Sequence, residues 1–202
     1  MINKIATLLL VITISSCTQK SKDSTGQNAI TNNVEKTLLS SGAPVNQINF
    51  IKRIDSNATN AIASNNEFDK KEKVKELYID FRSFIKNNLK DKFSDWNARV
   101  LEIENGDAEH SGVLIYFYVS TSAVNALGQS VHFRSFVPSS SAELITTIRS
   151  LKVNGLVKIS GNFEYSDPVM IKMQPTSGST DIADIFNNPE FFVKIQDIKQ
   201  IP

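Results

Sequence analysis

Five side chains suited to ligand binding alternate with apolar residues in two segments of the chain. Val, Ile and Phe recur at alternate positions of residues 113–119 and 131–137. Because successive side chains of a β-strand point to opposite faces, we expect the second face to show Tyr116, Tyr118, His132, Arg134 and Phe136. Aromatic rings stack on ligands, and Arg and His supply hydrogen bonds. The pattern predicts a binding face rather than a catalytic centre.

The residue types that metal sites and nucleophilic catalysis need are scarce. His110 and His132 are the two histidines and Cys17 is the single cysteine, too few for a convergent zinc site. The sequence has no G-x-S-x-G elbow or phosphate-binding loop, and Asp181 and Asp184 match no calcium-loop spacing. We therefore predict a protein that is not an enzyme and uses no metal or cofactor. A carbohydrate-active enzyme is an alternative, because sequence spacing cannot reveal two carboxylates facing each other across a cleft.

The N-terminus has the form of an export signal. Lys4 precedes an apolar stretch, Ile5 to Ile14, of 10 residues, whereas a membrane-spanning helix needs roughly 20. The chain continues Ser15-Ser16-Cys17, two small residues before the only cysteine. This junction resembles the lipobox of bacterial lipoproteins, which implies cleavage before Cys17 and acylation of its sulfur and new amino group. An ordinary cleaved signal, with an incidental or buried cysteine, is the alternative.

The resemblance also implies a location. Acyl chains on Cys17 would anchor the protein to a membrane. Thr18 stands where inner-membrane lipoproteins of enterobacteria carry Asp, so we expect the outer membrane, with the protein facing the periplasm. Residues 17–40 are polar and lack an apolar period, which predicts a disordered tether.

The charge balance bears on the class of partner. The chain has 22 Lys and Arg and 21 Asp and Glu, and removal of residues 1–16 takes away Lys4 alone, leaving 21 of each sign. Such a chain presents no uniform basic field to phosphate groups. Nucleic acid is therefore the less favoured partner.

Residues 44–92 predict a pair of helices. Between Pro44 and Ala63, apolar residues recur at threes and fours: Val45, Ile48, Ile51, Ile54, Ala58, Ala61 and Ile62. Between Asp69 and Asp91 the stripe comprises Val74, Leu77, Tyr78, Phe81, Phe84, Ile85, Asn88 and Leu89. We expect the second stripe to pack on its own domain, since it would otherwise be a large exposed apolar patch. A partner-binding or membrane-surface helix is the alternative.

From residue 95 onward the apolar period is two. The predicted strands are Trp96–Glu104, Gly112–Ser120, Val131–Pro138, Leu156–Tyr165 and Phe191–Ile198, with a short helix at Ser141–Leu151 that Ser141 would cap. This order resembles the OB-fold, a five-stranded barrel with a helix between its third and fourth strands. The run Gly155–Phe163, with Gly161 suited to a barrel bend, and the tail Asn188–Ile198 resemble the fourth and closing strands of uncharacterised periplasmic OB-like proteins. The predicted fold is α+β: an N-terminal helical hairpin packed on an OB-like barrel over residues 95–202.

The resemblance implies a ligand site on the second and third strands, where OB-folds bind oligonucleotides or oligosaccharides. With the lipobox, it predicts a lipid-anchored, non-enzymatic envelope protein that binds a protein, a small ligand or an oligosaccharide. Alternatively, the helical pair covers this face and the sheet is a scaffold. The search for partners would then move to protein ligands and the Tyr165–Pro189 loop.

Overall fold

Two helices, a closed β-barrel and one further helix form the computed structural model of the chain, which describes residues 42–63, 66–106, 111–119, 131–166, 170–176 and 184–201. The helices are α1 (Val45–Ile62), α2 (Glu67–Phe84), which continues into a π-helical turn (Ile85–Leu89), and α3 (Ala142–Ser150). The strands are β1 (Lys92–Asn105), β2 (Gly112–Val119), β3 (Val131–Pro138), β4 (Leu156–Phe163), β5 (Met173–Pro175) and β6 (Pro189–Gln200). The predicted α+β class is confirmed. The predicted signal, Cys17 and tether lie outside the described residues, as do His110 and Asp181.

Five of the strands close into a barrel. β1 pairs antiparallel with β2 and β4, β2 pairs with β3, and β4 pairs with β6. β3 and β6 then pair in parallel, which closes the cylinder. This arrangement is consistent with an OB-like fold. β5 adds a short strand beside β6; the sequence pattern did not predict it, because three residues are too few to show a period.

β1 is irregular in two places. Its pairing shifts register between Phe93 and Trp96 and again between Val100 and Glu102, and Asp95 has a left-handed φ of 52°. Such bulges increase the local twist of a strand, which a small barrel needs. The first bulge also explains why β1 begins at Lys92 rather than at the predicted Trp96, since it interrupts the period of two.

Gly161 lies where β4 shifts register against β6. A Cβ atom at this position would overlap the carbonyl oxygen of Lys194 and the ring of Phe93. The close approach of the neighbouring backbone therefore requires glycine, which confirms the barrel bend predicted at this residue.

A side chain completes the junction between β3 and β6. Ser135 faces the barrel interior, and its hydroxyl oxygen accepts a hydrogen bond from the Ile195 N–H at 3.2 Å. The parallel ladder between the two strands ends at the pair Arg134 and Phe192. The hydroxyl thus satisfies a buried donor beyond the ladder.

α3 closes one end of the barrel. It connects the end of β3 to the start of β4 and buries Ile145 and Ile148, with Leu151 following. Ser141 precedes the helix as predicted, but its side chain makes no capping hydrogen bond.

α1 closes the opposite end. Phe50 is fully buried, and its ring centroid lies 4.9 to 6.1 Å from four barrel rings: Trp96, Phe133, Phe163 and Phe191. Trp96, Phe133 and Phe191 lie in the first halves of β1, β3 and β6, and Phe163 is the last residue of β4. Because α3 follows the end of β3 and precedes the start of β4, these rings lie at the other end of the barrel. Gln47 fixes the helix further, since its side-chain amide exchanges two hydrogen bonds with the backbone of Asn97.

α2 packs beside α1 and against the chain that precedes β6. Arg53 of α1 forms an ion pair with Asp80. The Tyr78 hydroxyl donates to the Ile171 carbonyl at 2.9 Å, and the rings of Phe81 and Phe186 are 5.8 Å apart. The expectation that the apolar stripe of α2 packs on its own domain is confirmed.

Two details of the helical faces differ from the sequence pattern. The buried face of α1 is Gln47, Phe50, Ile51, Ile54, Asn57, Ala58 and Ala61, whereas Val45 and Ile62 are exposed. Because two of these buried residues, Gln47 and Asn57, are polar, the apolar periodicity does not predict the whole buried face. Asn88, placed on the stripe of the second helix, is exposed, because the π-helical turn changes the phase of the last residues.

Candidate functional site

The outer face of β2 and β3 consists of three rows of side chains, set by the strand register. Row A contains Glu104, Leu114 and Phe136. Row B contains Glu102, Tyr116, Arg134 and Phe192. Row C contains Arg99, Tyr118, His132 and Glu190. The register therefore brings all five predicted binding residues onto one face, beside residues of β1 and β6 that were not predicted.

Arg134 is held at the middle of row B by two aromatic rings. Its guanidinium carbon lies 5.2 Å from the ring centroid of Tyr116 and 5.4 Å from that of Phe192. A cation over an aromatic face is attracted by the ring quadrupole, by about 0.5–2 kcal/mol per ring. The two rings thus restrict the orientation of a side chain that is otherwise flexible.

A groove of about 480 Å³ opens beside Arg134. Four strands and the β4–β5 connection line this groove. The strand residues are Glu104 and Asn105 of β1 with the following Gly106, Leu114 of β2, Arg134 and Phe136 of β3, and Phe192 of β6. Glu164 and Lys172 come from the two ends of the connection between β4 and β5. We call this groove the outer groove. It combines an apolar wall with charges of both signs, which suits a polar ligand with apolar edges.

Phe192 and Lys172 are site residues that the sequence reasoning missed. The Lys172 ammonium lies 4.5 Å from the Phe192 ring centroid and 3.9 Å from a carboxylate oxygen of Glu164. Backbone bonds hold the three together, since the Phe192 N–H donates to Lys172 and its carbonyl accepts from the Glu164 N–H. The alternation of β6 would have shown Phe192 on the outside; the place of Lys172 was not visible, because β5 was not predicted.

Row C is polar and partly buried. The Tyr118 and His132 rings meet edge to face with centroids 6.1 Å apart. Glu190 is buried and accepts a hydrogen bond from the Gln174 amide at 2.5 Å. Burial lowers the pKa of His132, opposed by the negative charge of Glu190. The imidazole is therefore neutral at pH 7 and offers one donor and one acceptor.

The Tyr116 phenol also stays neutral at physiological pH. Burial raises its pKa; the positive charge of Arg134 lowers it, and the carboxylates of Glu104, Glu190 and Glu102 raise it further. The hydroxyl can then both donate and accept hydrogen bonds.

Among the described residues, the helical pair does not cover this face. Phe50 and Phe81 contact inward-facing rings at the end of the barrel. Phe136 is 42% exposed, and the other four predicted residues are half-buried. Of the two arrangements left open by the sequence, the pair closes the barrel end and leaves the outer face accessible.

Two other cavities contain polar side chains. A wider cavity of about 760 Å³ between α3 and β6 is lined by Ser140, Glu143 and Lys194 among others, and a smaller one, about 240 Å³, contains Tyr165, whose hydroxyl is hydrogen-bonded to Asp91. Within the described ranges, no three His, Cys, Asp or Glu side chains converge on a possible metal site. None of the described helices is both long and apolar enough to cross a membrane.

Comparison with known protein families, with curated proteins and with solved structures finds no match to this chain.

Proposed function

We propose that the chain is a lipid-anchored envelope protein whose OB-like barrel binds an oligosaccharide in the outer groove. It acts as a binding module and not as an enzyme. The observation that carries the proposal is the position of Arg134, fixed between Tyr116 and Phe192 at the edge of a groove of about 480 Å³. Grooves of roughly 300–1,000 Å³ commonly hold small ligands.

The groove offers the contacts that a sugar uses. Leu114 and Phe136 stand side by side in row A and present an apolar surface to the C–H groups of a pyranose ring. Glu104 supplies acceptors for sugar hydroxyl groups, and Arg134 supplies donors. The combination of apolar and polar contacts in one groove supports a saccharide.

Nucleic acid is less well supported by the same surface. Each of the three rows also contains a carboxylate, from Glu104, Glu102 and Glu190 in rows A, B and C. A nucleic-acid backbone carries one phosphate per nucleotide and is bound by many clustered cations, whereas the described lining of the outer groove has two, Arg134 and Lys172. The equal numbers of acidic and basic residues after residue 16 also disfavour a nucleic-acid partner.

The anchor and location rest on the N-terminal sequence. Ser15-Ser16-Cys17 supports lipidation of Cys17, and Thr18 supports the outer membrane, facing the periplasm. A polar segment between the lipid and α1 would let the barrel reach saccharides near the membrane surface.

Titration calorimetry on the full chain in mild detergent tests the binding function. The panel contains neutral and acidic oligosaccharides, fragments of envelope glycans and a single-stranded oligonucleotide. We expect at least one saccharide to bind and the oligonucleotide not to bind. The double variant Tyr116→Leu/Arg134→Gln should lose saccharide binding while its melting temperature stays near that of the wild type.

Two further variants separate binding from folding. Arg149→Gln removes an exposed arginine of α3, outside the groove, and should bind as the wild type does. Lys172→Gln weakens the groove without altering β2 or β3, and serves if the double variant unfolds. Oligonucleotide binding without saccharide binding, or wild-type affinity in a folded double variant, would contradict the proposal.

A further inference from the structure

Arg134 has no acidic partner of its own among the described residues. The described ion pairs involve Arg53 and several lysines, and none includes Arg134. Its interactions are with the rings of Tyr116 and Phe192, which do not use the N–H groups of the guanidinium as hydrogen-bond donors to an oxygen. A planar fork of donors held in this way matches the two oxygens of a carboxylate.

Lys172 places a second cation on the other side of Phe192, since it pairs with the opposite edge of β6. Its ammonium and the Arg134 guanidinium both lie over the ring of Phe192, at 4.5 and 5.4 Å from the centroid. Glu164 contacts Lys172 only at 3.9 Å, and both side chains are more than 40% exposed. Such a loose surface pair neutralises Lys172 little. The positive charge of the outer groove is therefore concentrated around Phe192.

A carboxylate that takes part in none of the described ion pairs lies at the other side of the groove. Glu104 is exposed at the end of β1, in row A, two strands away from Phe136 and one row away from Arg134. An anionic group would be repelled there, whereas sugar hydroxyl groups would be accepted. The charges thus give a ligand one orientation, with its acidic group toward β3 and β6.

We infer that the saccharide bound in the outer groove carries a carboxylate, and that Arg134 binds this carboxylate, while Lys172 adds positive charge on the other side of Phe192. The inference rests on the proposed function and narrows its ligand to acidic sugars. Leu114 and Phe136 receive the apolar face of the same or the adjoining sugar unit. Tyr116 and Phe192 are positioning residues, since they orient the guanidinium rather than contact the carboxylate.

A pair of ligands matched except for charge tests the inference. The full chain in mild detergent is titrated with trigalacturonic acid and with its methyl ester, which keeps the sugar rings and loses the charge. We expect the acid to bind about ten- to a hundredfold more tightly than the ester, the range of a charge-assisted hydrogen bond. Raising the salt concentration from 20 to 500 mM should weaken binding of the acid and leave the ester unchanged.

The variants assign the effect to one side chain. Arg134→Gln should bring the affinity for the acid down to that for the ester, Arg134→Lys should restore part of the difference, and Arg149→Gln should change neither. The side-chain Nε–H resonance of Arg134, assigned from its loss in Arg134→Lys, should shift when monomeric glucuronate is added.

The outcomes separate this inference from the proposed function. Equal affinity for acid and ester, lost together in the Tyr116→Leu/Arg134→Gln variant, would overturn the acidic-sugar inference and leave saccharide binding standing. A response to glucuronate that persists in Arg134→Gln would also overturn it. No binding of either trisaccharide or of glucuronate would overturn the inference, and the wider panel would then decide the proposed function.

Discussion

The Asp55 carboxyl lies half-buried on α1, where one of its oxygens is shielded from solvent and has no hydrogen-bond partner among the described residues. Burial raises its pKa from 3.8 to about 6. A charged carboxylate without compensating donors destabilises the native state, so this group opposes folding at neutral pH.

The pH dependence follows from the direction of the shift. Because the folded pKa is above the unfolded one, the native state binds this proton more tightly, and the free energy of unfolding falls as the pH rises from about 4 to about 6. Asp55→Asn removes the charge with little change in shape. At pH 7.5 we expect a gain below about 1 kcal/mol, because half of the side chain is solvated, and at pH 3.5 no gain. Thermal unfolding of both proteins at the two pH values measures this; an equal shift at both would contradict it.

At the candidate site, the single residue that matters most for the proposed function is Arg134. Its type and its outward position followed from the alternation of β3 in the sequence. Its ring partners are one strand away on each side, Tyr116 on β2 and Phe192 on β6. A single-residue property, the restricted orientation of a guanidinium, is therefore a consequence of pairing between strands.

At the scale of elements, the docking of α1 depends on Phe50. Its ring is fully buried and lies among rings from α2 and four barrel positions. The neighbouring Gln47 and Asn46 add polar contacts, to the Asn97 backbone and to the Trp96 indole N–H. The helix thus completes the barrel core instead of resting on its surface.

Phe50→Ala should cost about 3–5 kcal/mol of the free energy of unfolding, the usual range for truncation of a buried Phe. Trp96, the only tryptophan, is fully buried with its ring 4.9 Å from Phe50, so its fluorescence should shift to the red if α1 separates from the barrel. Urea unfolding and emission spectra give the two values. Phe68→Ala, at a residue 75% exposed on α2, is the matched control and should change neither. A Phe50 variant as stable as this control would rule out the structural role given to α1.

The secondary-structure elements differ in how far local sequence determines them. β2, β3 and β4 alternate strictly between buried and half-buried or exposed residues, and their predicted positions agree with the structure. In α1 the buried face includes Gln47 and Asn57, which no apolar period would place there. The burial of Gln47 depends on a partner outside the helix, the Asn97 backbone.

At the scale of the whole molecule, the proposed anchor makes its own prediction. Cys17→Ser removes the acceptor for acyl chains and should abolish incorporation of an alkyne-labelled palmitate in the producing bacterium. The protein should then leave the membrane fraction, because several acyl chains supply most of the proposed membrane affinity. Ser16→Ala keeps a small residue before the cysteine and should retain both label and location. Unchanged labelling in Cys17→Ser would contradict lipidation at this residue.

The closed barrel explains why the candidate site faces outward. Trp96, Phe133, Phe163 and Phe191 fill the interior at the α1 end, and Ile145 and Ile148 lie at the α3 end. Within the described part of the barrel, these side chains fill the interior and leave no room there for a ligand, so the candidate site lies on the outer face of β2, β3 and β6.

The amino-acid sequence by itself determined the approximate positions of the five barrel strands, the helix between the third and fourth strands, and the outward placement of Tyr116, Tyr118, His132, Arg134 and Phe136. These depend on the alternation of side chains along a strand and on turn residues, both of which are local. The tertiary structure alone decided that Phe192 and Lys172 join Arg134, and that the helical pair closes the barrel end and leaves the outer groove accessible among the described residues. These features depend on the register between strands distant in the chain, and register is selected by the packing of the whole core.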